Sequence, residues 1–290
     1  MLSIKRLSHT LKRSIIPGRF LSTTAPRDNQ TALVLGSNGA LGSAIISRLK
    51  QINKDDITII GADVTPSRDQ NNTDSFILLR GGNAESISED LVKGFQDLFD
   101  SKPEFDALIC ANGGFAMDDD AKAEMMMDVN FEPCAAACSD AILDYISDDE
   151  ALFVAFGATA ALSLDDIDRD SSMKKYIASK QDVHELIQRV GSASGKALRK
   201  SKRIGDVELR TRYRCLNKLT AVAILPSTLN TEANRNAMKP SEEELGRWTE
   251  LDDIAREIGT WMKMKDLRPS SGSLIKCVTE DGMTDFLISR

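Results

Sequence analysis

Short apolar runs alternate along this chain with longer stretches in which apolar residues recur at helical spacing. The runs predict strands over residues 31–36, 57–63, 76–79, 106–112, 151–156, 219–225 and 273–278. The periodic stretches predict helices over residues 39–50, 87–98, 121–145, about 172–190 and 249–264, the last with Thr249 and Asp252 as a capped start. Apolar strands that alternate with helices predict an α/β fold, a doubly wound parallel sheet of about seven strands with helices on both faces.

The first 27 residues differ from the rest of the chain. They contain six Lys and Arg residues and several Ser and Thr residues but no Asp or Glu, and apolar residues recur at helical spacing as far as Pro17. Such a start is typical of a mitochondrial transit peptide, and a disordered basic tail is the alternative. We expect a leader over residues 1–27, a single domain over 28–290, and a location in the mitochondrial matrix, or in the cytoplasm if the leader is not functional.

Composition and charge argue against several classes of function. Hydrophobic residues make up 41% and charged residues 28%, an ordinary soluble balance, and no apolar run approaches the roughly 20 residues of a membrane-spanning helix. Two histidines and five scattered cysteines support no metal site, no Ser-His-Asp triad and no disulfide framework. The net charge is -7 although the leader is basic, and so acidic a body argues against nucleic acid as a partner.

Two charged stretches interrupt the alternation of strands and helices. Residues 163–170 are acidic, and residues 191–214 are rich in Gly and Ser and then strongly basic. Because a charge run is usually a solvated loop, both are predicted to be surface insertions. A binding role for the basic stretch stays open as the alternative.

A glycine-rich turn joins the first predicted strand to the first predicted helix. It consists of Gly36, Ser37, Asn38, Gly39, Ala40, Leu41 and Gly42. Glycines let the backbone turn tightly and approach a pyrophosphate, and the N-terminus of the next helix offers unpaired N–H groups to the phosphates. With a strand before it and a helix after it, the turn predicts a Rossmann-type dinucleotide site; a turn without a ligand is the alternative.

Asp63 ends the second predicted strand. A carboxylate there can accept hydrogen bonds from both hydroxyls of the adenosine ribose and repels a 2′-phosphate, so it favours NADH over NADPH. Because Thr and Pro residues follow shortly after it, a turn cap is the alternative role. After the fourth strand, Asn112, Gly113 and Gly114 place small residues where the strand order should reverse and the cofactor should lie.

Tyr176 and Lys180 stand early in the predicted helix over residues 172–190. Their four-residue spacing places them on one helical face, one turn apart. A free phenol has a pKa near 10, and a nearby ammonium stabilises phenolate and so favours proton release. The same lysine can hydrogen-bond the nicotinamide ribose. The spacing alone is common, but after a dinucleotide turn and the fifth strand it predicts the catalytic pair of a hydride transfer.

Together these motifs resemble the short-chain dehydrogenase/reductase superfamily. Within it, longer strings are similar to the quinonoid dihydropteridine reductases. The strings are GSNGALGS at 36–43, DALICANGGF at 106–115, GATAAL at 157–162, AILPSTLNTEANR at 223–235 and RPSSGSLI at 268–275. The likeness spans about residues 31–285, and the last two strings are the most specific because they lie in regions that differ widely among relatives.

The resemblance implies an activity and a set of contacts. Members of this family pass a hydride from NADH to a quinonoid dihydropterin and form the tetrahydropterin, as in tetrahydrobiopterin regeneration. By resemblance, Tyr176 would supply or relay the proton and Lys180 would orient the ribose. The nicotinamide end of the cofactor would be bound by Pro226, Thr228 and Thr231.

The resemblance also bears on the substrate and on a partner subunit. Phe115 occupies the place of an aromatic residue expected near the flat pterin, although a tryptophan is more typical there. Family members are homodimers, and the helices that contain Asn130 and Tyr176 would form the interface.

The chain departs from the superfamily after the fifth strand, where a catalytic serine is usual. Gly157 and Ala158 stand there, as in the dihydropteridine group. Ser163 lies at the usual distance before Tyr176, but the acidic insertion makes that distance unreliable, and Thr159 is an equally open hydroxyl. A missing serine suits a quinonoid imine, which needs no oxyanion partner as a carbonyl does.

Two more polar residues are candidates for roles near the predicted site. Asn130 could support a proton relay or could bond a helix backbone, and both roles stay open. His184 lies on the same helical face as Tyr176, two turns on, and is predicted to pack or to hydrogen-bond at the subunit interface.

Two other functions remain as alternatives. A related reductase of a ketone or quinone would predict an unambiguous serine and no special similarity after strand six. A non-catalytic nucleotide-binding subunit would predict decay of the Tyr176 and Lys180 pair, and both residues are present.

Overall fold

The computed structural model describes residues 29–53, 56–66, 73–147, 150–162, 172–201 and 219–289. The predicted leader over residues 1–27, the acidic insertion over 163–170 and residues 202–214 of the basic stretch lie outside the described residues.

Eight described strands form one sheet. They are β1 (Gln30–Leu35), β2 (Ile57–Asp63), β3 (Ser75–Leu78), β4 (Ala107–Cys110), β5 (Leu152–Phe156), β6 (Thr220–Leu225), β7 (Ser273–Glu280) and β8 (Met283–Ile288). Their order is β3-β2-β1-β4-β5-β6-β7-β8, in which every pairing is parallel except that of β7 with β8. The predicted doubly wound sheet is therefore confirmed, with one strand more than the seven predicted.

Helices connect and cover these strands. They are α1 (Ala40–Asn53), α2 (Ala84–Leu98), α3 (Met126–Asn130), α4 (Glu132–Ala137), α5 (Asp140–Leu143), α6 (Lys174–Ser201), α7 (Glu232–Met238), α8 (Glu242–Leu245) and α9 (Leu251–Lys263). Short 3₁₀ turns lie at Ala123–Met125, Thr159–Ala161 and Lys265–Leu267.

Each face of the sheet has its own hydrophobic core. In β1, Leu33 and Leu35 belong to the core that contains residues of α2 and α6, whereas Ala32 and Val34 belong to the core that contains residues of α1 and α9. All four side chains are fully buried, because successive residues of a strand point to opposite faces and helices cover both. The prediction of helices on both faces is confirmed.

The strand order reverses at β1, which pairs with β2 on one side and β4 on the other. The chain first moves outward from β1 to β3 and then crosses back to β4. At such a reversal the loops after the two central strands diverge, and the crevice between them is where doubly wound sheets bind ligands. The turn that starts at Gly36 and the loop that starts at Asn112 border this crevice.

The single long helix predicted over residues 121–145 is wrong, because α3, α4 and α5 are separate pieces. Pro133 lies in the first turn of α4 and has no N–H group with which to continue a helix from α3. Ser139 is extended, at φ -67° and ψ 151°, and separates α4 from α5. The three pieces bury Met126, Ala136 and Ile142, so the apolar spacing marked buried positions without revealing the breaks.

The predicted capped start at Thr249 is also wrong. α9 begins at Leu251, and the Thr249 hydroxyl is buried and shares a hydrogen bond of 3.2 Å with the Thr279 hydroxyl on β7. The Thr249 N–H donates to the Thr228 carbonyl at 2.8 Å. Thr249 therefore joins the loop after β6 to the sheet.

Two other differences concern the end of the chain and the length of α6. The sequence does not reveal β8, because this strand pairs on one side only and has no buried run. α6 continues past the predicted end at residue 190 as far as Ser201. Gly191 lets this helix pack closely against Gly272, because a Cβ at position 191 would lie 2.3 Å from the Cα of Gly272.

Candidate active site

Glycines shape the turn after β1. Gly36 has φ +74°, and a Cβ there would lie 2.5 Å from the backbone nitrogen of Asn112. A Cβ on Gly42 would lie 2.2 Å from the carbonyl oxygen of Gly36, so α1 could not approach the turn as it does. The Gly36 N–H donates to the Ala62 carbonyl at 2.8 Å, and the Gly39 N–H donates to the Gly36 carbonyl at 3.1 Å. Side chains at positions 36 and 42 would break this arrangement.

The other residues of the turn contribute mainly through their backbone. Ala40, Leu41 and Gly42 form the first turn of α1, where N–H groups have no carbonyl partner within the helix and suit a phosphate. The Leu41 side chain lies in the core. Ser37 is fully buried, and its hydroxyl lies beneath Gly61, where a Cβ would be 2.9 Å from it. Like Asn112 Oδ1, the Ser37 hydroxyl has no hydrogen-bond partner among the described residues.

Asp63 has the turn-cap role that its position suggested as the alternative. Its Oδ2 accepts the Asn38 N–H at 3.0 Å, and its Oδ1 accepts the N–H and the hydroxyl of Thr65, each at 3.0 Å. A carboxylate offers about four acceptor positions, so at most about one remains for the ribose. The expected acceptance of both ribose hydroxyls is therefore not available in this geometry. The negative charge at the end of β2 stays in place.

A cleft of about 370 Å³ lies between the turn, Asp63 and the loop after β4. Its lining includes Val64, Leu79 and Ile87 on the apolar side and Asn38, Asp63 and Asn112 on the polar side. No Lys or Arg is among its lining residues in the described part of the chain.

Asn130 clamps the loop after β4. It is 1% exposed, its Oδ1 accepts the Gly114 N–H at 3.0 Å, and its Nδ2 donates to the Gly114 carbonyl at 3.1 Å. The same Nδ2 donates to the Ser179 hydroxyl at 3.1 Å. Of the two roles left open for Asn130, the structure favours the structural one, because both amide groups are engaged with the loop and with α6.

Asn112 and Gly113 connect the cofactor cleft to α6. Asn112 Nδ2 donates to the Val129 carbonyl at 2.8 Å, whereas its Oδ1 is buried without a partner among the described residues. A Cβ on Gly113 would lie 3.2 Å from Asn130 Oδ1 and 3.3 Å from Lys180 Nζ. The loop can approach Lys180 this closely because position 113 has no side chain.

Tyr176 lies in the first turn of α6 against Phe115. The two rings meet edge to face, with centroids 5.1 Å apart and an interplanar angle of 79°, and Phe115 is 56% exposed. Burial raises the pKa of Tyr176 to about 12. At neutral pH the phenol therefore keeps its proton, whereas the sequence suggested a lysine-stabilised phenolate.

Lys180 lies one turn after Tyr176 and is buried. Its Nζ donates to the Phe156 carbonyl at the end of β5 at 2.9 Å. Burial lowers the pKa of Lys180 to about 8. Because an ammonium has three N–H donors, this bond leaves donors for a ribose hydroxyl. The predicted pair therefore lies at the carboxyl edge of the sheet, beside the loop after β4.

The loop after β5 presents no free hydroxyl at Gly157 or Ala158. The Thr159 hydroxyl donates to the Leu225 carbonyl at 2.9 Å, and the Thr159 N–H donates to the Pro226 carbonyl at 3.2 Å. Thr159 therefore ties this loop to the end of β6. Ser163, the other candidate hydroxyl, lies outside the described residues.

His184 packs and hydrogen-bonds as predicted, but it does so inside a single chain and not at a subunit interface. The side chain is 5% exposed within a single chain, and its Nε2 accepts the Ala158 N–H at 3.3 Å. Burial, followed by the charge of Lys180, lowers the pKa of His184 to about 4, and a backbone hydrogen bond at Ala161 raises it in part. The residue packs beneath the loop after β5.

The segment after β6 carries the residues expected at the nicotinamide end. Pro226 is buried, and the Thr228 carbonyl accepts the Thr249 N–H at 2.8 Å. The Thr231 hydroxyl oxygen accepts the Asn234 N–H at 3.1 Å and caps α7. The Thr231 hydroxyl could also donate a hydrogen bond to a carboxamide carbonyl.

The residues present fit a nicotinamide dinucleotide. The glycine turn brings backbone to the crevice, α1 directs its N-terminus there, and the orphaned Oδ1 of Asn112 awaits a donor. Asp63 lies at one end of this crevice and Lys180 lies at the other.

Within the described residues, no group of three or more His, Cys, Asp or Glu side chains could hold a metal ion. No described helix is long and apolar enough to cross a bilayer.

Asp118 is a structural residue of the site that the sequence did not reveal. Its Oδ2 and Oδ1 accept the N–H groups of Lys174 and Lys175 at 3.2 and 3.0 Å, and so cap α6. Lys175 also pairs with Glu124. These bonds fix the segment that carries Phe115 against the helix that carries Tyr176. A cap that lies so far away along the chain leaves no local sequence pattern.

Comparison with known proteins gives several relatives in sequence and many in structure. No family model matches the chain. A dihydropteridine reductase of Dictyostelium discoideum is 28% identical over 263 residues, which cover 88% of this chain and 97% of that protein. The resemblance inferred from the motifs is thereby confirmed.

Solved structures support the fold. A short chain dehydrogenase from Burkholderia cenocepacia J2315 in complex with NADP has a TM-score of 0.60 at 17% identity, covering 88% of this chain and 98% of that one. The ligand-free aldohexose dehydrogenase of Thermoplasma acidophilum has a TM-score of 0.59 at 16% identity, covering 86% and 92%. The chain thus has the fold of the short-chain dehydrogenases/reductases.

Proposed function

We propose that this chain, an NAD(P)H-dependent oxidoreductase with the short-chain dehydrogenase/reductase fold, uses NADH to reduce a quinonoid dihydropterin to the tetrahydropterin. The similarity to a dihydropteridine reductase over nearly the whole length of both chains supports this proposal. The observation that carries it beyond the fold is the loop after β5, where Gly157 and Ala158 replace the expected hydroxyl and the Thr159 hydroxyl is bonded to Leu225.

A site whose described loop after β5 offers no free hydroxyl is suited to an imine. A carbonyl develops charge on oxygen as it is reduced, and a neighbouring hydroxyl stabilises that charge. A quinonoid imine develops its charge on a nitrogen that can be protonated directly. The exposed Phe115 ring beside Tyr176 offers an apolar surface to a flat heterocycle.

Tyr176 is the proton donor in this proposal. Reduction adds a hydride and a proton, and the nicotinamide ring supplies the hydride when the cofactor is bound. A buried phenol with a pKa of about 12 is protonated at neutral pH and therefore has a proton to give. Lys180 holds the loop after β5 through Phe156 and has further donors for the cofactor ribose.

NADH is the proposed cofactor because of Asp63. Its carboxylate is fixed by Asn38 and Thr65 at the end of β2, and no basic side chain lines the described cleft to neutralise a 2′-phosphate. A phosphate placed beside this fixed charge would be repelled.

One assay tests the proposed reaction. NADH oxidation is measured with freshly generated quinonoid dihydropterin and with a panel of ketones and quinones, for the wild type and for Tyr176→Phe. We expect turnover of the pterin that depends on Tyr176 and little turnover of the ketones. Robust ketone or quinone reduction without pterin turnover would favour the related reductase instead. NADH binding without turnover of any substrate would favour a nucleotide-binding subunit.

The cellular location and the oligomeric state are proposed on the same basis. The basic, acid-free leader over residues 1–27 supports import into the mitochondrial matrix, which import by isolated mitochondria with and without those residues tests. A homodimer through α3 and α6 follows from the resemblance. Light scattering on the purified protein tests it, and a monomeric mass would contradict it.

A further inference from the structure

His184 lies one turn after Lys180 on α6 and has no part in the reaction proposed above. Its imidazole is buried, and its Nε2 accepts the Ala158 N–H at 3.3 Å. With Nε2 as the acceptor, the ring proton is on Nδ1. The side chain of His184 therefore holds the loop over residues 157–161 at Ala158.

The same imidazole fills the space beside Gly157. A Cβ on Gly157 would lie 2.1 Å from His184 Nε2 and 2.4 Å from His184 Cδ2, and also 2.4 Å from Leu225 Cδ2. The leucine contact is the far end of a flexible side chain, whereas the imidazole is buried and held by its hydrogen bond with Ala158. As long as His184 is in place, position 157 can hold only glycine.

The loop is also fixed from the side of β6. The Gly157 N–H donates to the Ile224 carbonyl at 3.0 Å, and the Thr159 N–H donates to the Pro226 carbonyl at 3.2 Å. Lys180 holds the residue before the loop through the Phe156 carbonyl. Lys180 and His184, on two successive turns of α6, therefore hydrogen-bond this backbone on one side, and β6 hydrogen-bonds it on the other.

We propose that His184 is a positioning residue that fixes the position of the loop over residues 157–161 at the substrate side of the site. By its bulk, His184 also keeps any side-chain hydroxyl away from position 157. Its effect reaches the substrate through this loop and not by contact. The identity of the substrate rests on the proposed function, whereas the role of His184 as a positioning residue for this loop does not.

The volume argument is tested by a double-mutant cycle on Gly157 and His184. We expect Gly157→Ala to lower the melting temperature strongly or to abolish folding. We expect His184→Ala combined with Gly157→Ala to be more stable than Gly157→Ala alone, because Leu225 can then move into the vacated space. Recovery of soluble folded protein in the double variant counts as the result if the single variant does not fold. A double variant no better than Gly157→Ala would overturn the proposal.

Gly246→Ala is the matched control for this cycle. A Cβ there would meet its nearest neighbour at 3.5 Å, an ordinary contact, so we expect a small effect. His184→Ala should add to Gly246→Ala without coupling. Coupling of similar size in the control would show that His184→Ala rescues glycine substitutions without regard to position, which would also overturn the proposal.

The positioning argument is tested with two replacements of His184. Gln brings an amide oxygen close to the Ala158 N–H, whereas Leu keeps similar bulk without an acceptor. We expect His184→Leu to lower kcat/KM for the pterin about tenfold to a hundredfold, since small misplacements of a reacting group have effects of this size. The Kd for NADH should change less than about twofold by the same reasoning, and His184→Gln should restore most of the activity. Equal losses in both variants, or an equal loss of NADH affinity, would overturn the proposal.

A spectroscopic measurement separates this proposal from the proposed reaction. The chain contains two histidines, so ¹⁵N-histidine spectra of the wild type and of His184→Gln identify the His184 signals. We expect a neutral ring with its proton on Nδ1 and an acceptor nitrogen at Nε2. A ring protonated on Nε2 would overturn the proposed role of His184 even if the pterin is reduced. The expected tautomer would support that role even if the pterin is not reduced.

Discussion

The two ends of the site are built in different ways. At the cofactor end, the backbone sets the shape: Gly36 is held at φ +74° against Asn112, and Gly42 brings α1 against the turn. At the chemical end, side chains that are distant along the chain set the shape, as Phe115 meets Tyr176 across a tertiary contact. A backbone-built site carries a glycine signature that is visible locally, whereas a side-chain-built site depends on the packing of the whole domain.

The electrostatics of the two ends differ in the same sense. The cofactor end combines a fixed carboxylate, Asp63, with the N-terminus of α1, and both lie in a solvent-connected cleft. The chemical end buries its titratable groups, so that the pKa of Tyr176 rises to about 12 and that of Lys180 falls to about 8. Changes at one end should therefore affect binding, and changes at the other should affect proton transfer.

The largest effect is expected from Tyr176→Phe. Removal of the proton donor should lower kcat by about 10² to 10⁴, the usual contribution of a positioned acid, while the Kd for NADH changes by less than about twofold. Steady-state kinetics and a fluorescence titration with NADH measure the two quantities. Tyr145→Phe is the control, because Tyr145 packs against Phe95 away from the site. If NADH affinity fell together with kcat, the two ends would not be separable.

Gly36→Ala should break the other end. A Cβ there meets the backbone of Asn112, so we expect the Kd for NADH to rise by at least about tenfold, or the fold to fail, since neither backbone can yield cheaply. Gly282→Ala is matched in backbone conformation, at φ +74°, but a Cβ there meets nothing within 4 Å. It should lose only about 1–2 kcal/mol of stability and keep NADH affinity. Similar NADH affinities in the two variants would refute the backbone account.

The burial of Lys180 predicts a pH effect on stability. Its pKa is about 8 in the folded protein against a usual 10.5, so between these values the unfolded chain holds a proton that the folded chain has released. The free energy of unfolding therefore rises with pH, by about 1–2 kcal/mol between pH 7.5 and 9.5. Urea denaturation of the wild type and of Lys180→Met at both values isolates this gain, because the other groups titrate alike in both. A constant difference between the two proteins would argue against a buried ammonium.

The smallest effect concerns the choice of cofactor. Asp63→Asn removes the charge while keeping an oxygen acceptor, and we expect the ratio of NADPH to NADH affinity to rise about tenfold, as one removed charge repulsion allows. Asp74→Asn is the control, since Asp74 also bonds backbone, at the Ile59 N–H, but does not line the cleft. An unchanged ratio in Asp63→Asn would show that cofactor preference lies elsewhere.

Some of the sequence interpretations agree with the structure and others do not, and each outcome has a physical reason. The turn at Gly36 and the pair formed by Tyr176 and Lys180 lie where they were expected, because their spacing is local. Asn130 had two possible roles because an amide can bond many partners, and only the contact with Gly114 and Ser179 separates them. His184 was placed at a subunit interface because helical spacing gives a face and not what covers it.

The sequence by itself determined the strand runs, the glycine turn and the spacing of the catalytic pair, because steric demands and helical periodicity act within a few residues. Tertiary structure decided which groups are free to act. It tied the Thr159 hydroxyl to Leu225, occupied most of the acceptor positions of Asp63, and placed His184 against Gly157. It also set the direction of the pKa shifts of Tyr176 and Lys180, because desolvation depends on every element packed around a group and not on its neighbours in sequence.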